Sequence, residues 1–319
     1  MLLSFVFSFR NEQQNIPELV KRVSAVANSI DDVQYEMIFV NDDSTDQSLE
    51  LLLALQDTYP ITVINMSRRF GVTPCVLAGL AQARGDAVVY MDSDLQDPPE
   101  LVPEMVQKFR DGADVVHATR THRDGESAVK MWLTKKAYRL INYFSDIHLP
   151  ENTGDFKLLS ARVVRGILSL REYEPYMRGL SVWVGYKQAF VFYGRKPRFA
   201  GKSKFPLLSR GPALEFIRGL TAYSAAPLYI SFFLGVITTL FAVALIVYGV
   251  LTKVLGIAAP GASGILIALA LFSGVILTTN GIVGIYLARI YYEVKNRPKY
   301  IISNIFEPKR RVSRMTTAK

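Results

Sequence analysis

Residues 90 to 97, Tyr90-Met91-Asp92-Ser93-Asp94-Leu95-Gln96-Asp97, decide the fold, because a strand over 86–91 runs straight into carboxylates at positions 92 and 94. Alternate side chains of a strand share a face, so Asp92 and Asp94 converge at the strand's carboxyl end. Open α/β sheets bind their ligands at that end. Oxygen donors of this kind suit Mg²⁺ or Mn²⁺, which in turn holds the phosphates of a nucleotide. Taken alone, the stretch also reads as a surface turn, since acids followed by Pro98-Pro99 open loops and helices. Its surroundings settle the matter.

The chain opens with a strand over 2–9, then Arg10-Asn11-Glu12 and an amphipathic helical pattern over 16–26. A second strand, 35–40, ends in Asn41-Asp42-Asp43-Ser44-Thr45-Asp46, where Ser44 or Asp43 is expected to cap the next helix. A strand over 61–66, a helix over 73–83, the Asp92 strand, a helix over 98–110 and a strand over 114–118 follow. Strands alternating with helices at this spacing form a mostly parallel, doubly wound sheet. Asn11-Glu12, Asp42-Asp43 and Asp92-Asp94 each follow a strand, so one rim of one sheet carries all three polar clusters.

At 319 residues, 50% of them hydrophobic, with mean hydropathy +0.19, the chain is too apolar for an ordinary soluble enzyme. Between Arg218 and Lys253 lie 34 residues without a charge, and between Lys253 and Arg289 another 35. A bilayer span takes about 20. The expected organisation is a catalytic domain over 1–205, an interfacial segment over 206–225, transmembrane helices over 226–252 and 262–290, and a basic tail over 291–319. Residues 1–9 lack the basic flank of a cleavable signal. Lys and Arg concentrate in 195–218 and 295–319 rather than in the connector. The catalytic domain and both termini are therefore expected on the cytoplasmic face of the inner membrane.

The single Cys75 fits a reducing compartment and excludes an intrachain disulfide. A net charge of +9 raises nucleic acid as a partner, but the basic residues cluster beside the spans without interleaved aromatics. Anionic membrane lipids are expected instead, and no nucleic acid. The three histidines, His117, His122 and His148, read as structural or solvated. Residues 127–144, basic with Trp132 on the apolar side, read as a helix lying in the membrane interface, or else one packed on the protein's own core. A second such segment is expected over 207–223. Gly274, Gly281 and Gly284 in the second span favour close helix packing and a homo-oligomer.

These motifs resemble those of glycosyltransferase family 2, whose members have the Rossmann-like GT-A fold, and the resemblance runs over nearly the whole chain. Phe9-Arg10-Asn11-Glu12 is similar to the family's Tyr-Asn-Glu opening, Val40 to Asp46 to its Asp-Asp-Gly-Ser-x-Asp nucleotide motif, and Asp92 to Asp97 to its Asp-x-Asp-Leu-Gln metal motif. The nearest pattern is the polyprenyl-phosphate branch, which holds bactoprenol glucosyltransferases, the aminoarabinose transferase and dolichol-phosphate mannose synthase. Asp43 stands where the family has Gly, at a position expected to need φ > 0. Arg10 replaces a Tyr that stacks on the base.

The resemblance implies an inverting, metal-dependent transfer of one sugar, glucose by default, from a UDP-sugar to undecaprenyl phosphate, with Mg²⁺ or Mn²⁺ as cofactor. An aminopentose or aminohexose donor, and a non-catalytic nucleotide-binding membrane scaffold, are the alternatives. A processive polysaccharide synthase is disfavoured, since two spans enclose no channel. The implied roles put Asp94, Asp92 and Gln96 at the metal, Glu12 and Asp42 at the uridine, and Arg178 and Trp183 at the donor sugar and pyrophosphate. Asp155, in Asn152-Thr153-Gly154-Asp155-Phe156, lies beside the sugar, to accept a proton or to hold a hydroxyl. Arg120, Lys130, Thr134 and Ser203 face the acceptor phosphate, joined by Arg198 and Lys204 from a mobile loop over 198–205. A phosphate monoester with a second pKa of about 6 is mostly a dianion near pH 7, so a positive clamp matters more than a strong base. Related enzymes also imply a tetramer.

Overall fold

The computed structural model describes residues 1–123, 136, 139–150, 152–195, 219–256 and 262–308. β1 (Leu2–Phe9), β2 (Gln34–Asn41), β3 (Ile61–Met66) and β4 (Ala87–Asp92) run parallel in the order β3-β2-β1-β4. They are linked by α1 (Ile16–Asn28), α2 (Ser48–Leu55) and α3 (Val72–Gln82). A 3-10 turn, Pro99–Leu101, then leads into α4 (Val102–Arg110), β5 (Val115–Arg123), β6 (Thr153–Ser160), α5 (Ala161–Ser169), α6 (Met177–Trp183) and β7 (Gln188–Arg195). β6 inserts antiparallel between β4 and β5, and β7 pairs parallel with β5.

Helices cover both faces of this sheet, which is why its strands read as unbroken apolar runs rather than alternating ones. Leu3, Phe5 and Phe7 of β1 are buried with Ile16, Leu19, Val20 and Val23 of α1, while Val6 faces α3 on the other side. The close approach of α3 needs Gly79, where an added Cβ would lie 2.3 Å from Val6 Cγ1.

Two local expectations give way to tertiary structure. α2 starts at Ser48, not after Ser44, because Ser44 Oγ accepts from Asn11 N (3.1 Å) and so joins the loops after β1 and β2. The turn into α2 is made by Asp46, whose Oδ1 accepts from Ser48 N at 3.1 Å. β5 extends to Arg123 because β7 pairs with it as far as Arg123↔Arg195.

α7 (Ala226–Val254) and α8 (Ala262–Lys295) pack against each other and leave Phe232, Phe233, Ile246 and Leu277 exposed. Both are long and apolar enough to cross a membrane, over Ala226–Thr252 with mean hydropathy 2.6 and over Ala268–Lys295 with 1.8. The expected basic tail over 291–319 needs correction. α8 runs on to Lys295, and β8 (Ile302–Phe306) returns to the sheet and pairs antiparallel with the β3 edge. Ser67 N donates to Ile301 O at 3.0 Å, and Gln56 Nε2 donates to Phe306 O at 2.9 Å. An open strand edge takes such a partner, and the flanking charges concealed a short apolar strand. Among the described residues the sheet has eight strands, ordered β7-β5-β6-β4-β1-β2-β3-β8.

The end of α8 is also fastened to the segment before α6. Tyr173 N donates to Glu293 Oε1 at 2.6 Å, Lys299 Nζ donates to Leu170 O at 2.7 Å, and the Tyr173 and Tyr292 rings stack at 5.1 Å. Of the two expected interfacial segments, only 136, 139–144 and 219–223 are described. There Ile141 is buried while Leu140 and Tyr143 are exposed.

Candidate active site

The parallel registers Phe9↔Asn41 and Ser8↔Asp92 bring the three strand ends side by side, so their polar clusters share one rim. The chain turns sharply there: Asn11, Asp43 and Leu95 have φ of 56°, 58° and 60°. Asn and Asp tolerate this left-handed region, whereas a buried Leu95 held in it marks backbone strain within the Asp-Ser-Asp-Leu-Gln loop. Asp42, at the end of β2, accepts from Phe70 N at 2.6 Å and from Gly71 N at 3.1 Å, which fixes the approach to α3. Glu12 accepts from Asn15 Nδ2 at 2.6 Å, and its own N donates to Ser48 Oγ at 2.9 Å. Both acids are buried at the rim.

The β4–β6 register, Val89↔Leu158 and Tyr90↔Lys157, sets Asp92 opposite Asp155 when continued by two residues. Burial pushes the Asp92 carboxyl up to about 7, and the nearby charges of Asp155, Asp97 and Asp94 push the same way, against Arg120. Such an excess of carboxylate is what a divalent cation neutralises. Asp94 Oδ1 accepts from Gln96 N at 3.1 Å, which closes a tight turn directly after Asp92. Among the described residues no three His, Cys, Asp or Glu side chains form a ready-made ligand shell. Mg²⁺-type sites complete themselves with one or two carboxylates, substrate phosphates and water, so the donor set fits such an ion.

Across from Asp92, Arg178 on α6 grips Asp155 with two bonds, Nη2 to Oδ2 at 2.8 Å and Nε to Oδ1 at 3.2 Å. Burial alone would raise the Asp155 carboxyl, but Arg178, with help from Lys157 and Arg120, holds it down at about 2. Lys157, two residues along the same face of β6, is fully buried and donates to Ser181 Oγ at 2.6 Å. Burial pushes its ammonium down to about 7, against the pull of Asp155. Trp183, five residues after Arg178, lies about 140° round the helix from it and is 53% exposed. It does not share the face that meets Asp155.

Arg120, expected at the acceptor phosphate, is buried on β5, close enough for its charge to act on Asp92 and Asp155. Its Nη2 donates to Asp97 at 3.3 Å and its Nε to Tyr193 Oη at 3.0 Å, while the Tyr193 hydroxyl also donates to Asp97. Asp97 thus pairs with the guanidinium from the loop after β4. The side chain lies over Gly154, where an added Cβ would meet Nη2 at 2.5 Å. Lys130, Thr134, Arg198, Ser203 and Lys204 lie outside the described residues. His117 is fully buried, bonded through Nε2 to Gln188 Oε1 at 2.8 Å and stacked on Phe190, and burial pushes it down to about 3. The sequence reasoning passed over Asp97, Tyr193 and Lys157. Asp97 stood within the opening motif, whereas nothing local distinguished the other two.

An acidic rim at the carboxyl ends of β1, β2 and β4, on a sheet with an antiparallel strand inserted beside β4, defines a glycosyltransferase of the GT-A fold. The chain belongs to glycosyltransferase family 2: the family model, described as glycosyl transferase family 2, matches residues 4–168. An uncharacterized glycosyltransferase of Synechocystis is 40% identical over 307 residues, covering 95% of both chains. The SfII prophage-derived bactoprenol glucosyl transferase of Shigella flexneri is 38% identical over 308 residues, 95% of this chain and 97% of its own. The prophage bactoprenol glucosyl transferase homolog of Escherichia coli is 35% identical over 311 residues, 96% of this chain and 99% of its own.

Proposed function

We propose that this enzyme transfers glucose from UDP-glucose to undecaprenyl phosphate at the cytoplasmic membrane face, with inversion, giving a β-linked polyprenyl-phosphate glucose and UDP. The observation that carries the reading is the facing pair at the strand ends: a metal-suited acid cluster around Asp92 and Asp94, and opposite it an Asp155 kept ionised by Arg178. Relatives named bactoprenol glucosyl transferase, matched from end to end, support the lipid acceptor and the sugar. The membrane hairpin supports the location. β8 pairs with β3 after α8, and Tyr223, just before α7, is buried in the core of the same domain, which fits two crossings with both ends of the hairpin on one side.

In this reading Asp94, Asp92 and Gln96 would hold Mg²⁺ or Mn²⁺, whose charge would offset that of the departing diphosphate. Asp42 and Glu12 receive the uridine. The acceptor dianion forms a bond from a phosphate oxygen to the anomeric carbon while the bond from that carbon to the UDP oxygen breaks, so an α-linked donor gives a β product. Asp155, held ionised at about 2, orients a sugar hydroxyl rather than taking up a proton. By resemblance, Arg120, Lys130, Thr134, Ser203, Arg198 and Lys204 clamp the acceptor phosphate. The homo-oligomer forms through α8, where an added Cβ at Gly274, Gly281 or Gly284 would meet nothing within 4 Å.

Membranes carrying the protein, given labelled UDP-glucose and polyprenyl phosphate, are expected to yield a butanol-extractable labelled lipid. No label in the lipid under conditions that preserve UDP binding would refute the function. Label from an amino-sugar donor alone would move the sugar assignment and leave the reaction class standing.

A further inference from the structure

Lys157 is an anomaly that the proposed reaction leaves unused. Its side chain is fully buried in β6 between β4 and β5, opposite Tyr90 on one side and His117 on the other. Neither neighbour is a counter-ion: His117 is neutral, and both the Tyr90 hydroxyl and His117 Nδ1 lack a hydrogen-bond partner. Asp155, along the same face of the strand, favours the charged form, but burial outweighs it and pushes the ammonium down to about 7, a cost that an apolar side chain filling the same space would not carry. The hydrogen bonds show where the cation acts. Lys157 Nζ donates to Ser181 Oγ at 2.6 Å, and the Ser181 hydroxyl donates in turn to the Arg178 carbonyl at 3.0 Å. Ser181 is itself fully buried, so the relay has no access to water. Arg178 is the residue that grips Asp155.

We propose that Lys157 is a positioning residue for glycosyl transfer: through the Ser181 hydroxyl it fixes the turn of α6 that aims Arg178 at Asp155. This rests on the reading that puts Asp155 and Arg178 at the donor sugar. The relay ties strand to helix in one direction only. Asp155 and Lys157 share a face of β6, roughly 7 Å apart along the strand, so the Asp155 carboxylate is set by the strand and the Arg178 fork by the relay. Loss of the relay lets α6 shift against β6, and the two-bonded geometry of Arg178 on Asp155 is lost with it. UDP recognition at β1 and β2 is untouched, because Asp42 and Glu12 draw their partners from other segments.

The test uses the full-length protein in membranes or detergent. Lys157→Met keeps the length and removes the charge. Its kcat is expected to fall about tenfold or more, with KM for UDP-glucose and affinity for UDP within about twofold of wild type. Its thermal unfolding midpoint is expected to stay level or rise, because a buried charge has been replaced by an apolar group. Ser181→Ala, which keeps the charge and cuts only the relay, is expected to lower kcat several-fold with the same unchanged KM. Lys157→Met combined with Asp155→Asn is expected to be no slower than Asp155→Asn alone, since Lys157 acts through that pair. Wild-type kcat in Lys157→Met overturns the proposal, as do losses that multiply in the double variant. Should Lys157→Met fail to fold, wild-type kcat in Ser181→Ala overturns it equally. Wild-type activity in Asp155→Asn overturns the donor-site reading and this proposal together, whereas an impaired Asp155→Asn beside a fully active Lys157→Met sinks only the role of Lys157.

Discussion

Replacing Asp155 by Asn separates an orienting carboxylate from a catalytic base. Arg178 bonds both Asp155 oxygens, at 2.8 and 3.2 Å, and holds the carboxyl at about 2, below its ordinary 3.8, although burial alone would raise it. That difference favours the ionised form by roughly 2–3 kcal/mol, less whatever solvent screens at a side chain that is still 30% exposed. A depressed folded-state pKa stabilises fully above the ordinary value and loses that stabilisation only as pH falls towards about 2. Asp155 therefore keeps one charge state throughout the working range. The Asn variant retains an acceptor for one Arg178 bond and leaves the other donor unpaired, a loss of about 1.5–3 kcal/mol. In rate this is roughly a 10- to 150-fold fall in kcat. Initial rates of lipid labelling, measured for both proteins at saturating Mg²⁺ or Mn²⁺ to keep Asp92 ionised, from about pH 6.5 to 8.5, above the acceptor's second pKa, are expected to keep a constant ratio. A ratio that changes tenfold across that interval, or a variant whose residual activity has lost the acid limb of the wild-type profile, would show that Asp155 takes up a proton and would refute the reasoning.

Asp94→Asn is expected to reduce transfer nearly to background while the protein stays folded, because it removes metal-ligand charge from a rim loop rather than from the core; full turnover of the wild type in EDTA would contradict the metal site. Lys204→Ala and Arg198→Ala are expected to lower turnover more than UDP affinity, which calorimetry with UDP and Mn²⁺ separates; equal losses would move these residues into the nucleotide site. Tyr193→Phe removes one donor from the buried Asp97 and is expected to lower stability by about 1–3 kcal/mol, read as a lower thermal unfolding midpoint. An unchanged midpoint would mean that Asp97 finds another partner.

The parallel half of the sheet was legible because each strand is a short apolar run followed by an amphipathic helix, and because polar clusters recur at the strand ends. Asp43 was legible for a local reason: where φ is positive, only a few side chains are comfortable, and Asp43 adopts 58°. Long-range pairing was not legible. In the run Asp155 to Ser160, Lys157 looks like a solvent-facing position, and only its seat between β4 and β5 buries it. The partners of Arg120 were not legible either, since β7 brings Tyr193 beside it and the loop after β4 brings Asp97. β8 escaped notice because its five residues follow a charged stretch and become a strand only at the vacant edge of β3. α2 began late because a contact between two loops outbid a local cap.

The most direct measurement takes the purified full-length protein with UDP-glucose, undecaprenyl phosphate and Mg²⁺ or Mn²⁺, and determines the mass and the anomeric configuration of the lipid formed. The account predicts a lipid heavier by one hexose, linked β to the phosphate, with UDP released in equal amount and no product when Asp94→Asn replaces the wild type. Release of free glucose and UDP without a glycolipid, or a hexose linked α, would contradict it.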